Sequence, residues 1–180
     1  MTHSIAAAAQ LLIDNLALLE GQPAGSDFLD LACGSGRNGL FLARRKFSVT
    51  FADNNKAALE AVAQTLTQDG LPGECWPVDL ERDPDSVLDD RTFAGILVFN
   101  YLHRPLMAQL KKAVRPGGVI VYETFTTAQR EFGRPSNPDF LLHPGELMDM
   151  FNDWQVLFSV ESTLQNPRRA VAQIIARKPE

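Results

Sequence analysis

The most constraining feature of the chain is the glycine turn LACGSGRNG. It has the spacing Gly34-x-Gly36-x-x-Gly39, follows the apolar run Phe28–Ala32 and precedes the helical pattern of Asn38–Arg45. A strand, a glycine turn and a helix in this order are typical of a nucleotide-binding sheet, in which bare backbone approaches the ligand. The spacing alone is a weak signal, so the surrounding residues have to identify the ligand.

Short apolar runs alternate with helical patterns along most of the chain. This alternation predicts an α/β fold with a parallel, doubly wound sheet and right-handed crossovers. The predicted strands are Phe28–Ala32, Phe47–Ala52, Glu74–Val78, Phe93–Phe99 and Val119–Phe125, then Trp154–Val160 and Ala170–Arg177 as a terminal antiparallel hairpin joined by STLQNPR. The predicted helices are Asn38–Arg45, Lys56–Leu66, one that begins near Pro105, and Pro144–Phe151. Segment 126–142 is polar and too long for an ordinary connection, so it is a candidate lid.

Residues 1–21 are predicted to form an amphipathic helix packed on the domain. They are not expected to be a signal peptide, because they lack its basic n-region. Apolar residues at helical spacing are followed by two stop signals: Ile5, Ala9, Leu12, Leu16 and Leu19, then Gly21 and Pro23. A length of 180 residues fits one domain. We therefore expect a single domain over 1–180, located in the cytoplasm.

Charge and cysteine content exclude several classes of function. Lys and Arg number 17 against 22 Asp and Glu, a formal net charge of −5, which argues against nonspecific nucleic-acid binding but leaves room for a local basic pocket. Cys33 and Cys75 have no CxxC spacing, so neither a zinc site nor a disulfide framework is expected. No metal and no membrane partner are predicted.

The carboxylate of Asp30, four positions before Gly34, separates two classes of cofactor. A strand that binds a nicotinamide dinucleotide is usually apolar up to its first glycine, because the pyrophosphate sits on the following helix N-terminus. A carboxylate there would repel a pyrophosphate. It suits a ligand with positive charge and no phosphate, such as S-adenosylmethionine (SAM). The alternative is that Asp30 only caps the turn.

At these residues the chain resembles the class I SAM-dependent methyltransferases, whose first motif is an acidic residue followed by a G-x-G turn. The stretch GSGRNGLFLA is most similar to the small TehB-type (tellurite-resistance) enzymes, while NYLHRPL is less typical of them. The resemblance implies a Rossmann-like seven-stranded sheet of order 3-2-1-4-5-7-6 with a C-terminal antiparallel hairpin. It also implies SAM as methyl donor and S-adenosylhomocysteine (SAH) as product.

Two further carboxylates follow the next strands. Asp53 closes VTFAD, where it can accept both ribose hydroxyls, and Asp79 in WPVDL can accept from the adenine amino group with Leu80 beside the ring. Asp53 fits either cofactor class, whereas Asp79 favours SAM. The alternative for Asp53 is a cap of the next helix, and the alternative for Asp79 is a residue of a surface turn. The predicted cofactor-binding residues are Asp30, Gly34, Ser35, Gly36, Asp53, Asn54, Asp79, Leu80 and Asn100.

Residues for the acceptor are expected at the carboxyl ends of the later strands. The candidate catalytic residues are Tyr101, His103, Glu123, Arg168 and Arg169, and the lid segment and its flank add Arg130, Arg134 and His143. An imidazole near a helix N-terminus stays neutral, so His103 is predicted to be a base or a donor. Side chains alternate along a strand, so only one of the two adjacent arginines should face the pocket. The alternatives are that His103 only caps or packs, that Glu123 only pairs with an arginine, and that the arginines are solvated.

The sequence therefore predicts a SAM-dependent methyltransferase that acts on a small molecule, such as a soft anion or a thiol. The Asn-Pro-Pro-Tyr and Asp-Pro-Pro-Tyr motifs of enzymes that methylate amino groups of nucleic acids are absent, so no nucleic-acid partner is expected. Two alternatives remain open. They are a nicotinamide-dependent Rossmann protein and a SAM-binding module without catalytic activity.

Overall fold

A computed structural model describes residues 7–22 and 26–180 of the chain. Its seven-stranded sheet has the order β3-β2-β1-β4-β5-β7-β6. The strands are β1 Asp27–Leu31, β2 Ser48–Asp53, β3 Glu74–Pro77, β4 Phe93–Phe99, β5 Val114–Phe125, β6 Gln155–Gln165 and β7 Arg168–Arg177. The first five strands are parallel, and β7 runs antiparallel to both of its neighbours. The predicted fold class and strand order are confirmed.

Helices lie on both faces of the sheet. The helices of each face pack on one of the two buried apolar clusters. They are α1 Gln10–Asp14, α2 Ala17–Glu20, α3 Arg37–Ala43, α4 Lys56–Asp69, α5 Met107–Ala113 and α6 Glu146–Met150, with short 3₁₀ helices at Arg104–Leu106, Thr127–Glu131 and Pro138–Phe140. Strand β4 is buried along its whole length, as expected for the centre of a parallel sheet. Among the described residues, no helix has the length and apolarity needed to cross a membrane.

The N-terminal segment differs from the single helix predicted over 1–21. Within residues 7–22 it forms α1 and α2, separated at residues 15 and 16. The Asn15 side chain donates to the Leu11 carbonyl at 2.9 Å, an alternative to the backbone bond that would continue α1. Leu12 and Leu19 are fully buried, so both helices still pack on the domain. Ile5 and Pro23 lie outside the described residues.

The terminal hairpin is longer than predicted. Most of STLQNPR is paired strand, since Ser162 pairs with Val171 and Gln165 with Arg168, which leaves only residues 166 and 167 to turn. Strand β6 runs in the same direction as β5, because each is antiparallel to β7. The hairpin turn therefore lies beyond the carboxyl ends of the parallel strands.

Segment 126–142 folds back on the end of β5. The Thr127 N–H donates to the Leu142 carbonyl at 2.9 Å, and the buried Gln129 side chain accepts from the Ala170 N–H at 2.8 Å. The same side chain donates to the Arg134 carbonyl at 3.0 Å. The segment is thus tied both to itself and to the start of β7, next to the ends of the parallel strands. Its function as a lid stays a prediction.

Candidate cofactor and acceptor site

The turn between β1 and α3 needs glycine for both conformation and space. Gly36 has a φ of 69°, and a Cβ on it would lie 2.7 Å from a methyl carbon of Val62. A Cβ on Gly39 would lie 2.4 Å from the Phe51 ring. Helix α3 can therefore approach β2 closely only because these positions carry no side chain. Ala32 also has a positive φ, 54°, although it is not glycine.

Asp30 lies beneath the glycine turn, almost completely buried. Its Oδ2 accepts a hydrogen bond from the Gly39 N–H at 2.8 Å, in the first turn of α3. Burial raises the pKa of the Asp30 carboxyl to about 7, although the Gly39 hydrogen bond and the Arg37 charge act in the opposite direction. The observed contact is the one expected of a capping carboxylate. A role of Asp30 toward the SAM ammonium group stays a prediction.

Asp53 ends β2 and bonds to two backbone N–H groups. Its Oδ2 accepts from Gly34 at 2.7 Å, and its Oδ1 accepts from Asn55 at 2.8 Å. The N-cap of α4 is Asn55, whose side chain accepts from the Ala58 N–H at 3.1 Å. Asp53 is therefore not the cap of that helix. Its carboxylate stands at the glycine turn, and Ser35 is exposed between the two turn glycines.

A cavity of about 180 Å³ opens beside this carboxylate at the carboxyl ends of β1, β2 and β3. Its lining residues are Ala32, Asp53, Asn54, Val78, Asp79, Leu80, Glu81 and Tyr101. Carboxylates on its walls can accept from hydroxyl and amino groups. The buried Leu80 and the partly buried Val78 offer apolar contact to a flat ring. No lysine or arginine is among these lining residues, so a phosphate would find no cationic partner. The cavity fits the adenosine part of SAM better than a dinucleotide.

Asp79 closes a surface turn, as one alternative predicted, and its contact with the adenine of SAM stays a prediction. It lines this cavity, and its Oδ1 also accepts from the Glu81 N–H at 3.0 Å, which closes a turn after β3. A larger depression of about 490 Å³ lies at the opposite edge of the sheet, between Asp27, Thr50, Glu74 and Arg91. It contains no predicted site residue, and the amino ends of parallel strands are not where such sheets bind ligands.

Tyr101 lies in the wall of the same cavity, which we call the candidate cofactor cavity. Its hydroxyl oxygen is buried and has no partner in hydrogen-bonding geometry among the described residues. Burial raises the pKa of this phenol above its usual range, and the nearby Glu81 and Asp79 carboxylates act in the same direction. A neutral phenol is a hydrogen-bond donor and not a base. A catalytic role of Tyr101 stays a prediction.

Asn100, Glu123 and Arg169 form a connected group where β4, β5 and β7 meet. The Arg169 Nη2 lies 3.0 Å from the Glu123 Oε1, and its Nη1 donates to the Asn100 Oδ1 at 3.3 Å. Glu123 is only 1% exposed, and its Oε2 accepts from the Gln173 side chain at 2.5 Å. The structure thus brings three of the predicted site residues together in one network.

His103 follows the end of β4 and begins the 3₁₀ helix Arg104–Leu106. Its Nε2 is buried without a hydrogen-bond partner among the described residues. The next residue, Arg104, makes a bidentate ion pair with Glu146 at 2.6 and 2.9 Å and donates to the Leu141 carbonyl. This ion pair lowers the pKa of the Glu146 carboxyl and fixes the end of the lid segment beside His103.

Three arginines near the hairpin turn differ from Arg104 and Arg169, each of which is paired with a carboxylate. Arg168 places its guanidinium carbon 4.5 Å from the centroid of the Phe132 ring, on the lid segment. We call Arg130, Arg134 and Arg168 the rim arginines; all are exposed, and none has an ion pair within residues 7–22 and 26–180. Arg168 and Arg169 diverge, so that only Arg169 points toward the ends of β4 and β5.

Several residues of the site were not predicted from the sequence. Ala32 and Glu81 line the cavity, and Gln173 bonds Glu123 inside the sheet. Gln173 carried a signal, because a glutamine within the buried run AVAQIIA needs a polar partner. Asn38 is also buried, and its side chain accepts from the Ala9 N–H at 2.8 Å, which anchors the N-terminal segment to the start of α3. No local pattern indicated that contact.

Comparison with known proteins identifies the family. A family profile described as "Methyltransferase domain" matches residues 28–118. Hemagglutinin 1 of Eikenella corrodens is 28% identical over 134 residues, which are 72% of this chain and 44% of that protein. Ribosomal RNA small subunit methyltransferase C of Chromohalobacter salexigens is 27% identical over 151 residues, which are 81% of this chain and 41% of that protein. The chain spans less than half of the length of the curated relatives it matches.

Solved structures share the fold at low sequence identity. TehB from Haemophilus influenzae has a TM-score of 0.76 and 20% identity, covering 97% of this chain and 63% of that one. A SAM-dependent methyltransferase from Methanosarcina mazei has a TM-score of 0.72 and 15% identity, covering 97% of this chain and 99% of that one. The match of residues 28–118 spans half of the chain, and the sheet order and cavity agree with it. The chain belongs to the methyltransferase domain family.

Proposed function

We propose that this methyltransferase transfers the methyl group of SAM to a small-molecule acceptor, either a soft anion or a thiol. SAM supplies a methyl group on a positively charged sulfur. An electron pair of the acceptor forms the new bond to the methyl carbon, the carbon–sulfur bond breaks, and its electron pair stays on sulfur as SAH forms. The protein's contribution to such an in-line displacement is to align the two reactants and exclude water.

The single observation that favours an anionic acceptor is the charge distribution at the carboxyl edge. Arg104 and Arg169 are each paired with a carboxylate, whereas the rim arginines are exposed and without ion pairs among the described residues. In a chain of net charge −5 they form a local positive region beside the predicted site. Arginine suits small oxyanions because its planar fork can donate two parallel hydrogen bonds.

His103 is the side chain best suited to handle a proton of the acceptor. A thiol or a protonated oxyanion must lose a proton when it is methylated, and a thiolate needs no base. Among the described residues, the buried Nε2 of His103 has no hydrogen-bond partner, so it can accept a proton or hold the acceptor. This role rests on the predicted position of the acceptor at the end of β4.

The first test concerns the cofactor. SAH at about 100 times its Kd should stabilise the fold by about 2.7 kcal/mol, which raises the melting temperature by roughly 5–10 °C for a chain of this length. NADH and NADPH should produce no such shift. A stabilisation by NADH but not by SAH would contradict the assignment of the cofactor.

The second test concerns the acceptor. The protein is incubated with methyl-labelled SAM and separate panels of small oxyanions, thiols, neutral amines and ribosomal RNA. Label on an oxyanion or a thiol supports the proposal. Label on RNA would replace it with the activity named for the partial relative from Chromohalobacter salexigens. SAH binding without transfer to any panel would favour the SAM-binding module without catalysis.

A further inference from the structure

We infer that Arg169 is a positioning residue, which holds Asn100 at the end of β4 and does not bind the acceptor. The inference rests on the proposed function at one point, the expected contact between Asn100 and the cofactor. It changes the sequence-based hypothesis that Arg169 recognises an anionic acceptor. The observations that carry it are the contacts of the Arg169 guanidinium and the backbone conformation of Asn100.

The first observation is that Asn100 has an unusual backbone that is held from two sides. Its φ is 56°, in the left-handed region that is costly for residues other than glycine and tolerated best by asparagine and aspartate. The Asn100 N–H donates to the Glu123 carbonyl at 2.8 Å. Its side-chain Oδ1 accepts from Arg169 at 3.3 Å. Both ends of the residue are therefore fixed to neighbouring strands.

The second observation is that these contacts close a ring. The Glu123 backbone carbonyl holds the backbone of Asn100, and the Glu123 side chain holds Arg169, which holds the side chain of Asn100. Two nitrogen atoms of one guanidinium make the two contacts of Arg169. A lysine carries a single ammonium group on a flexible stem, so it cannot reproduce this fork.

The third observation is that the charge of Arg169 is already neutralised. Glu123 is 1% exposed and lies 3.0 Å from the guanidinium, and the Arg169 side chain is itself only 19% exposed. A buried carboxylate that loses its partner is strongly unfavourable, so an incoming anion would have to compete with Glu123 for the same group. The adjacent Arg168 is exposed and has no such counter-ion in the described part of the chain.

Two variants test the inference without leaving Glu123 buried and unpaired. Arg169→Lys keeps the charge but removes the fork, and the double variant Glu123→Gln/Arg169→Met removes the ion pair and the Asn100 contact together. We expect each to bind SAH about tenfold more weakly by calorimetry, because Asn100 loses its support and about 1.4 kcal/mol of binding corresponds to that factor. The KM for the acceptor should stay within twofold.

The matched control is Arg44→Met/Asp69→Asn, which removes an exposed ion pair of 3.2 Å between the residue that follows α3 and the end of α4, away from the site. It should bind SAH like the wild type. Folded Arg169 and Glu123 variants, as judged by their unfolding transitions, that bind SAH within twofold of the wild type would overturn the inference. So would a normal SAH affinity with a raised acceptor KM, which is the result expected of an acceptor-binding arginine. A wild-type protein that fails to bind SAH would instead reject the proposed function itself.

Discussion

The carboxylate of Asp53 accepts a hydrogen bond from the Gly34 N–H at 2.7 Å, which ties the end of β2 to the glycine turn after β1. Asp53 therefore has two tasks if it also binds the ribose of SAM. Replacing it with alanine should lower SAM affinity about 10- to 100-fold, since hydrogen bonds to a charged group contribute about 1.5–3 kcal/mol. Calorimetric titration with SAM or SAH measures this loss.

The fold should survive Asp53→Ala, because the side chain is partly exposed at a strand end. Asp69→Asn, at the exposed end of α4, removes a carboxylate from the same βα unit without touching the turn and serves as the control. SAM affinity that is equal in both variants would mean that the ribose is held elsewhere.

His103→Ala should leave SAH binding intact and reduce turnover, by up to about 10²–10⁴ if the imidazole acts as a general base. The reason is that its Nε2 is buried without a hydrogen-bond partner within residues 7–22 and 26–180, shortly after β4 and close in sequence to Asn100. Turnover is measured with the acceptor that takes up the methyl label. A lower melting temperature with normal turnover would identify His103 as a packing residue.

Asp30 should make the stability of the protein depend on pH. Its pKa is raised from 3.8 to about 7, so the folded state binds the proton more tightly than the unfolded chain does. The resulting stabilisation is complete below pH 3.8 and is lost as the pH rises through 7. Between pH 5 and pH 8 this group should lower the free energy of unfolding by about 2–3 kcal/mol.

Asp30→Asn tests this dependence, since the amide oxygen can still accept from Gly39 but cannot ionise. Urea unfolding of both proteins at pH 5 and pH 8 isolates the contribution of Asp30, because the remaining titratable groups are shared. The variant should lose less stability than the wild type over this interval. An equal loss in the two proteins would contradict the raised pKa.

Ala32 occupies a left-handed conformation in the wall of the candidate cofactor cavity. Glycine adopts this conformation without the steric cost of a Cβ, which is about 1–2 kcal/mol, but loses about 0.4–1 kcal/mol through the greater freedom of the unfolded chain. Ala32→Gly should therefore increase the free energy of unfolding by about 0.5–1 kcal/mol. Ala57→Gly, at an exposed position of α4, should decrease it by a similar amount. Two changes of the same sign would contradict the argument.

The sheet could be predicted from the sequence, and so could the grouping of several predicted cofactor-binding residues around one cavity, whereas the contacts of the predicted acceptor residues could not. Strand periodicity is local. Asp53 ends β2, and Asp79 and Leu80 come shortly after β3, so their meeting at one edge follows from parallel topology. The Arg169 network could not be derived in this way. Arg169 and Asn100 are 69 positions apart, and which charge is neutralised depends on the register of β5 against β7.

Local patterns also misjudged where elements end. The turn residues of STLQNPR suggested a long loop, but backbone pairing continues to the two-residue turn. The Asn15 side chain interrupts a segment whose apolar spacing alone predicted one helix. In both cases contacts made by the backbone or by a single polar side chain prevailed over the local sequence pattern.

The rim arginines give the last prediction, which separates steering of an anion from binding of the cofactor. Replacing all three with glutamine changes the net charge from −5 to −8. Exposed charges raise the encounter rate of an oppositely charged ligand. The kcat/KM for an anionic acceptor should therefore fall about tenfold at low salt and less at high salt, while SAH affinity stays unchanged.

The control replaces Arg44, Arg45 and Arg115, which lie away from the carboxyl edge, and makes the same change in net charge. A steered reaction responds to the location of the charges and not to their sum, so only the rim variant should lose activity. An equal fall in both triple variants, or an equal fall with a neutral acceptor, would show that these arginines do not select the acceptor.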